Sequence, residues 1–166
     1  LSDVSLSDGL TSIGYKAFCE CLALEVITFP NSLISIGEEA FRDCNELDSI
    51  TIKNRDTWIG SGAFTYTALR KVVLPDGKKI ISDGAFSNCI QLRDITIPDS
   101  VDFIGNKAFY NCIRLADISI PDGVDYLGYP SFGNTRWYEN QPEGLIYMGK
   151  HLYQYKDLML DDGNFV

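Results

Sequence analysis

Apolar residues recur along this chain on two nested scales. At the short scale they come in alternating pairs, Ile27/Phe29, Ile50/Ile52, Val72/Leu74, Ile95/Ile97 and Ile118/Ile120. Period two over so few residues predicts a short strand with one buried face. At the long scale each pair belongs to one copy of a repeated unit. Ala-Phe dipeptides stand at Ala17-Phe18, Ala40-Phe41, Ala63-Phe64, Ala85-Phe86 and Ala108-Phe109, with the variant Ser131-Phe132, at spacings of 23, 23, 22, 23 and 23 residues. A unit of that length cannot bury its own apolar face and must stack on copies of itself, so the period predicts a solenoid.

The rest of the unit keeps the same phase. Three residues after each Phe come Cys21, Cys44, Thr67, Cys89, Cys112 and Thr135, and then Leu24, Leu47, Leu69, Leu92 and Leu115; the early Leu69 accounts for the one short interval. After the strand, Pro30, Pro75, Pro98 or Pro121 predicts a turn, because proline fixes φ and lacks an N–H, and the glycines of Pro75-Asp76-Gly77 and Pro121-Asp122-Gly123 permit positive φ. A second short apolar segment follows, as in residues 33–37 and 101–105. Ala108, Phe109 and Cys112 at i, i+1 and i+4 predict one helical turn that aims all three inward. About six coils stacked at about 4.7 Å give a core about 30 Å long with a parallel sheet on one side. The file Phe18, Phe41, Phe64, Phe86, Phe109 and Phe132 is its expected spine.

The segment Leu92-x-x-Ile95-x-Ile97 resembles the strand of leucine-rich repeats. The longer phrase Ile104-Gly105-x-x-Ala108-Phe109-x-x-Cys112-x-x-Leu115-x-x-Ile118-x-Ile120-Pro121 resembles the BspA-like class of that family. The resemblance covers about residues 1–132. Ser or Gly precedes Val101 and Val124 where leucine-rich repeats usually carry Asn-x-Leu, a departure typical of this class, so the ordinary Asn ladder is not expected. The expected fold class is α/β: a right-handed leucine-rich-repeat solenoid with short parallel strands and short helical turns, followed by a C-terminal β-hairpin. The resemblance implies a bacterial cell-surface or secreted protein, with similar proteins in some parasitic protists, that binds host or matrix proteins or other cells. It supplies no catalytic residues.

Residues 133–156 break the period. Residues 137–144 read as a loop, and the alternating runs 145–148 and 151–155, joined by Gly149-Lys150, read as a β-hairpin. A solenoid needs cover over its last open coil, so the hairpin is expected to be a cap or spacer. A similar Trp-Tyr…Gln-Pro…Gly…Tyr…Gly insertion occurs between repeat blocks in BspA-like proteins. Leu158-Met159-Leu160-Asp161-Asp162-Gly163 and Val4-Ser5-Leu6-Ser7-Asp8-Gly9 both repeat the phase of Ile118-Ser119-Ile120-Pro121-Asp122-Gly123. Residues 157–166 are therefore expected to start a further partial repeat. The sequence is expected to be cut from a longer array, or at least to begin without an N-terminal cap, with any secretion signal outside it.

Composition narrows the chemistry. A charge of −9, from 14 Lys+Arg against 23 Asp+Glu, with no long basic run, repels phosphate backbones and acidic lipid surfaces, so nucleic acid and membrane insertion are not expected. No apolar stretch approaches the roughly 18 residues that span a bilayer. A zinc site needs about four converging N or S ligands. Here Cys21, Cys44, Cys89 and Cys112 lie one repeat apart, Thr substitutes twice, and His151 is the only histidine. The column is expected to hold small buried side chains with free thiols, and Cys19, outside it, is the thiol expected to be exposed. His151 has no nucleophile motif around it, and the acidic pairs Glu38-Glu39 and Asp161-Asp162 read as solvated charge. With no phosphate loop, His-Glu-x-x-His or Gly-x-Ser-x-Gly, no enzyme chemistry, metal or cofactor is expected.

Two surface rows remain as candidates for partner binding. The first runs along the exposed face of the first strands: Ser5, Thr28, Thr51, Val73, Thr96 and Ser119, beside Asp3, Val26, Ser49, Lys71, Asp94 and Asp117. Its hydroxyls suit hydrogen bonding to an extended partner, and Thr is also simply a good strand residue. The second row stands just before the second buried apolar residue of each unit: Ser12, Ser35, Trp58, Ile80, Phe103 and Tyr126. If it faces outward, four coils present large apolar groups side by side, as contact sites do; the alternative is that residues 133–156 cover it. A basic cluster, Arg70, Lys71, Lys78 and Lys79, reads either as an anchor for an anionic partner or as a solvated face. The functional expectation is a non-enzymatic protein-binding module; the rival is a structural spacer in a longer surface protein with no ligand of its own.

Overall fold

The computed structural model describes residues 2–156, and the partial repeat expected at 157–166 lies outside the described residues. Two columns of short parallel strands run along a β-solenoid. The first contains β1 (Asp3–Ser5), β3 (Val26–Thr28), β5 (Ser49–Thr51), β7 (Lys71–Val73) and β9 (Asp94–Ile95). The second contains β2 (Ser12–Ile13), β4 (Ser35–Ile36), β6 (Trp58–Ile59), β8 (Ile80–Ile81), β10 (Phe103–Ile104) and β11 (Tyr126–Leu127). Strand partners sit one repeat apart, as in Val4↔Ile27, Val72↔Ile95 and Ile13↔Ile36. β3, β5 and β7 each bury their middle residue and expose its flanks, and in β1 the middle Val4 is half-buried, so the alternation read from the sequence sets which side chains face water.

Glycine decides how closely the second column can pack. Gly14, Gly37, Gly60, Gly105 and Gly128 follow its strands, and the N–H of Gly37, Gly60, Gly105 and Gly128 each bonds a carbonyl of the preceding coil at 2.7–2.8 Å. A Cβ at Gly37, Gly60, Gly105 or Gly128 would lie 2.3–2.6 Å from backbone of that coil, inside van der Waals contact. Ser82 holds the glycine place in the fourth unit, and there the ladder fails. No strand pairing joins β6 to β8. Side chains bridge the seam instead: Ser82 Oγ donates to Ile59 O, and Lys78 Nζ donates to Thr57 O. Thr57 and Lys78 occupy the interior file that holds Leu33, Val101 and Val124 in other coils, and Lys78 is only 4% exposed.

The Ala-Phe segments close each coil as a run of hydrogen-bonded turns with little helix. Ala17 N–H bonds Gly14 O, Cys19 N–H bonds Lys16 O, and Cys21 N–H bonds Phe18 O. Other amides reach across to the next coil: Lys16 to Glu38 O, Phe18 to Ala40 O, Glu20 to Arg42 O, and equivalently Phe64 to Ala85 O and Phe86 to Ala108 O. This third ladder draws on left-handed backbone at Lys16, Glu20, Glu39, Asp43, Tyr66, Asn88, Lys107, Asn111 and Asn134, with φ between 52° and 62°. Asn tolerates that region best among these side chains, and Gly62 and Gly84 adopt it freely.

The core is one cluster built around the phenylalanine file. Successive rings from Phe18 to Phe132 are stacked at centroid distances of 5.0, 5.2, 5.7, 5.6 and 5.1 Å, with interplanar angles of 4–17°. Parallel offset rings fit the coil spacing, so the stack repeats without a change of rotamer. At the C-terminal end Thr135 accepts the Tyr138 N–H and caps a short helix, α1 (Arg136–Glu139), within the stretch read as a loop. The antiparallel hairpin of β12 (Gly144–Met148) and β13 (His151–Lys156) follows. Tyr153 Oη accepts the Phe132 N–H at 2.7 Å, His151 Nε2 meets Val124 O at 2.8 Å, and Lys150 pairs with Asp125 at 3.0 Å. The hairpin therefore lies against the last coil.

Candidate functional site

The cysteine column belongs to the core. Cys44, Cys89 and Cys112 donate their Sγ–H to Phe18 O, Phe64 O and Phe86 O, each one coil back, at 3.0–3.2 Å. Thr67 Oγ1 lies 3.2 Å from Cys89 Sγ, so the hydroxyl joins the same polar file. Burial pushes the thiols of Cys44 and Cys89 up to about 12 and that of Cys112 well above its ordinary value, which removes nucleophilic thiolate. All five cysteines are free. Cys19, expected at the surface, is half-buried, and so is Cys21, whose coil is the first of the file. No group of three or more His, Cys, Asp or Glu that suits a metal ion occurs among the described residues.

The basic cluster does not form a free cationic patch. Arg70 bonds Asp48 at 2.6 Å, Lys71 bonds Asp94 at 2.9 Å, and Lys79 lies 3.6 Å from Asp102, each pair crossing one coil. Lys78 leaves the surface altogether. Burial holds its ammonium below the usual lysine range, with the Asp56 carboxylate opposing that shift. A lysine after Pro-Asp-Gly looks solvent-facing in sequence; the polar Thr57 below it, whose carbonyl accepts Nζ, is what lets it turn inward.

The second-column row does reach the surface. Trp58 is 45% exposed, Ile80 44% and Tyr126 43%, and Phe103 is half-buried between its neighbours. Strand register sets Phe103 beside Ile80 on one side and Tyr126 on the other. The Phe103 and Tyr126 rings stack at 4.5 Å and 9°, while no ladder joins the strand of Trp58 to that of Ile80. The hairpin meets Val124, Asp125 and Phe132, and Tyr126 beside them stays exposed.

In the first column Thr28, Thr51, Thr96 and Ser119 are all exposed. Thr28 pairs in register with Ser5, and Thr51 with Val73. Thr96 lies one residue past the end of β9. Residues 117–119, which the alternation predicts as the next strand, make no strand pairing, and Ile118 is half-buried where Ile27, Ile50 and Val72 are buried. A cleft of about 600 Å³ opens here, lined by Thr96, Ile118, Ser119 and Trp137 among others. Its signal was absent from the sequence because Leu115-x-x-Ile118-x-Ile120 keeps the repeat pattern intact.

Stacked parallel strands on a period of 22–23 residues, with a Phe file and a Cys file inside, define a leucine-rich-repeat solenoid. The chain belongs to the BspA type leucine rich repeat family, whose profile matches residues 1–76 and 57–159 with six copies. Among solved structures it is similar to a leucine rich repeat protein from T. pallidum, with 32% identity and a TM-score of 0.67 over 74% of this chain and 60% of that one. It is also similar to a leucine-rich repeat protein from Bacteroides ovatus, with 25% identity and a TM-score of 0.57 over 81% of this chain and 46% of that one. The chain thus spans less than two thirds of either. A search of curated proteins finds no match.

Proposed function

We propose that this repeat module is a non-enzymatic protein-binding element of a bacterial cell-surface or secreted protein, adhering to host or matrix proteins or to other cells. The observation that carries the reading is the surface row of Trp58, Ile80, the half-buried Phe103 and Tyr126, the last three on strands paired in register. Contiguous apolar surface of this kind marks contact sites, and Trp and Tyr dominate their energetics. Ring geometry favours a protein over a glycan: Phe103 and Tyr126 spend their faces on each other, so the row offers ring edges to a partner and no open platform between them for a sugar ring. The hydroxyl row Thr28, Thr51, Thr96 and Ser119 is the second contact surface. The similarity to bacterial leucine-rich-repeat proteins supports the bacterial setting. The extracellular setting rests on the family resemblance.

The test is capture of the protein by a panel of immobilised extracellular-matrix proteins, with the double variant Trp58→Ala, Phe103→Ala beside the wild type. The expected result is saturable capture by at least one panel member, weakened tenfold or more in the variant, while the melting temperature falls by no more than about 5 °C, the effect of 1–2 kcal/mol in a domain of this size. A wild type that binds none of the panel would leave the spacer as the better account. A collapse in melting temperature would place the row in the core.

A further inference from the structure

The cleft beside Thr96 arises from a break in the first strand column. No backbone hydrogen bond crosses from residues 95–97 to residues 116–119, and β9 has a strand on only one side among the described residues. The two coils remain joined on either side: Gly128 N–H bonds Ile104 O at 2.7 Å, and the Phe86 and Phe109 rings stack at 5.6 Å. The opening is therefore local, a slot between the end of β9 and residues 116–119.

Alternation fixes which groups face the slot. Asp94 N–H bonds Arg70 O on the preceding coil, so Ile95 and Ile97 turn their N–H and C=O forward into the cleft. On the opposite wall the N–H groups of Asp117, Ile118 and Ser119, the equivalents of Asp94, Ile95 and Thr96, make no hydrogen bond among the described residues. Both walls thus offer unpaired donors and acceptors at strand spacing, which is the template an added strand uses. The volume of about 600 Å³ lies within the range of ligand pockets, and the three-residue walls span about 10 Å, enough for three or four extended residues.

Charge selects the occupant. Asp99 and Asp117 line the cleft, no basic side chain does, and neither carboxylate is engaged in an ion pair among the described residues. Trp137 closes one side with an indole whose backbone N–H is fixed by Leu115 O at 2.8 Å. We infer that this cleft takes an extended polypeptide segment with basic side chains, which adds as a strand between β9 and residues 117–119. The site is separate from the aromatic row, and its occupancy stands or falls independently of it.

The probe is a fluorescein-labelled octapeptide, Lys-Thr-Val-Thr-Ile-Thr-Val-Lys, titrated with the whole protein and read by anisotropy. Two controls accompany it, one with Glu for both Lys and one with alternate backbone amides N-methylated. The expected result is saturable binding of the basic peptide, at least tenfold weaker for each control and for the variant Asp99→Asn, Asp117→Asn. Hydrogen exchange places the site: the amides of Ile95, Ile97, Asp117 and Ser119 should slow tenfold or more with saturating peptide, while those of Trp58 and Ile80 do not change. Equal binding of the N-methylated peptide, protection confined to other coils, or no saturation by 1 mM peptide would each overturn the assignment. None of these outcomes depends on whether matrix proteins bind the aromatic row.

Discussion

Two residues, Lys78 and Ser82, account for the one seam in the second column, and each does so through its own atoms. Ser82 adds a Cβ where its equivalents Gly37, Gly60, Gly105 and Gly128 have no room for one, so backbone pairing gives way to a side-chain bond from Oγ. Lys78 threads an alkyl stem through an apolar file and bonds a carbonyl at its tip, an arrangement open to a long amphipathic chain. Burial favours its neutral form in the folded state. The unfolded state then binds the proton more readily, so Lys78 contributes a penalty near neutral pH that is relieved as pH rises toward its ordinary value of 10.5. Lys78→Met removes that dependence. Urea unfolding at pH 7.5 to 10 should show wild-type stability gaining on Lys78→Met as pH rises, by about 1.4 kcal/mol for each tenfold change in proton affinity. Buried thiols act the other way above pH 9, as the unfolded state ionises first, but they are common to both proteins and cancel in the difference. Parallel pH profiles would show that Lys78 is not desolvated.

At the level of elements, the strands and turns were legible and the way coils touch was not. Alternation at Ile27/Phe29 or Val72/Leu74 and the Pro-Asp-Gly turns report local preference, and the structure follows them. The turns around Phe18 or Phe86 were read as helical from the inward spacing of Ala, Phe and Cys. What that spacing does not encode is the ladder to the next coil, which depends on left-handed backbone at residues as unlike as Lys16, Glu39 and Asn111. The break after β9 was equally hidden, since Ile118 and Ile120 satisfy the repeat whether or not they pair. Glycine after five of the six second-column strands is the element-scale feature with the clearest physical cause. Gly105→Ala places a methyl 2.4 Å from Asp83 N, so the coil must shift. Denaturation should show a loss of about 1–3 kcal/mol, the usual cost of overpacking. Gly14→Ala, with nothing within 4 Å of its Cβ, should lose far less.

For the whole molecule, repetition carries the fold and irregularity carries the candidate sites. The Phe and Cys files could be read directly from a spacing of 22–23 residues, and both lie inside apart from their half-buried first members, Phe18 and Cys21. The aromatic row was visible as a phase in the repeat, and its exposure follows from the same alternation that buries Ile59, Ile81 and Ile104. Binding itself is not encoded in a period, because a solenoid spacer and a solenoid receptor stack their coils alike. The account rests on coils in register, each supplying the apolar wall its neighbour lacks, with the stacked phenylalanines as the shared interior. Phe86 lies in the middle of that file, fully buried and 5.6–5.7 Å from the rings on either side. Equilibrium denaturation of Phe86→Ala measures the claim directly. A loss of about 3–5 kcal/mol is predicted, as for a large ring removed from a close-packed core. A loss below about 1 kcal/mol would mean that Phe86 is not part of a continuous interior stack, and would contradict the account.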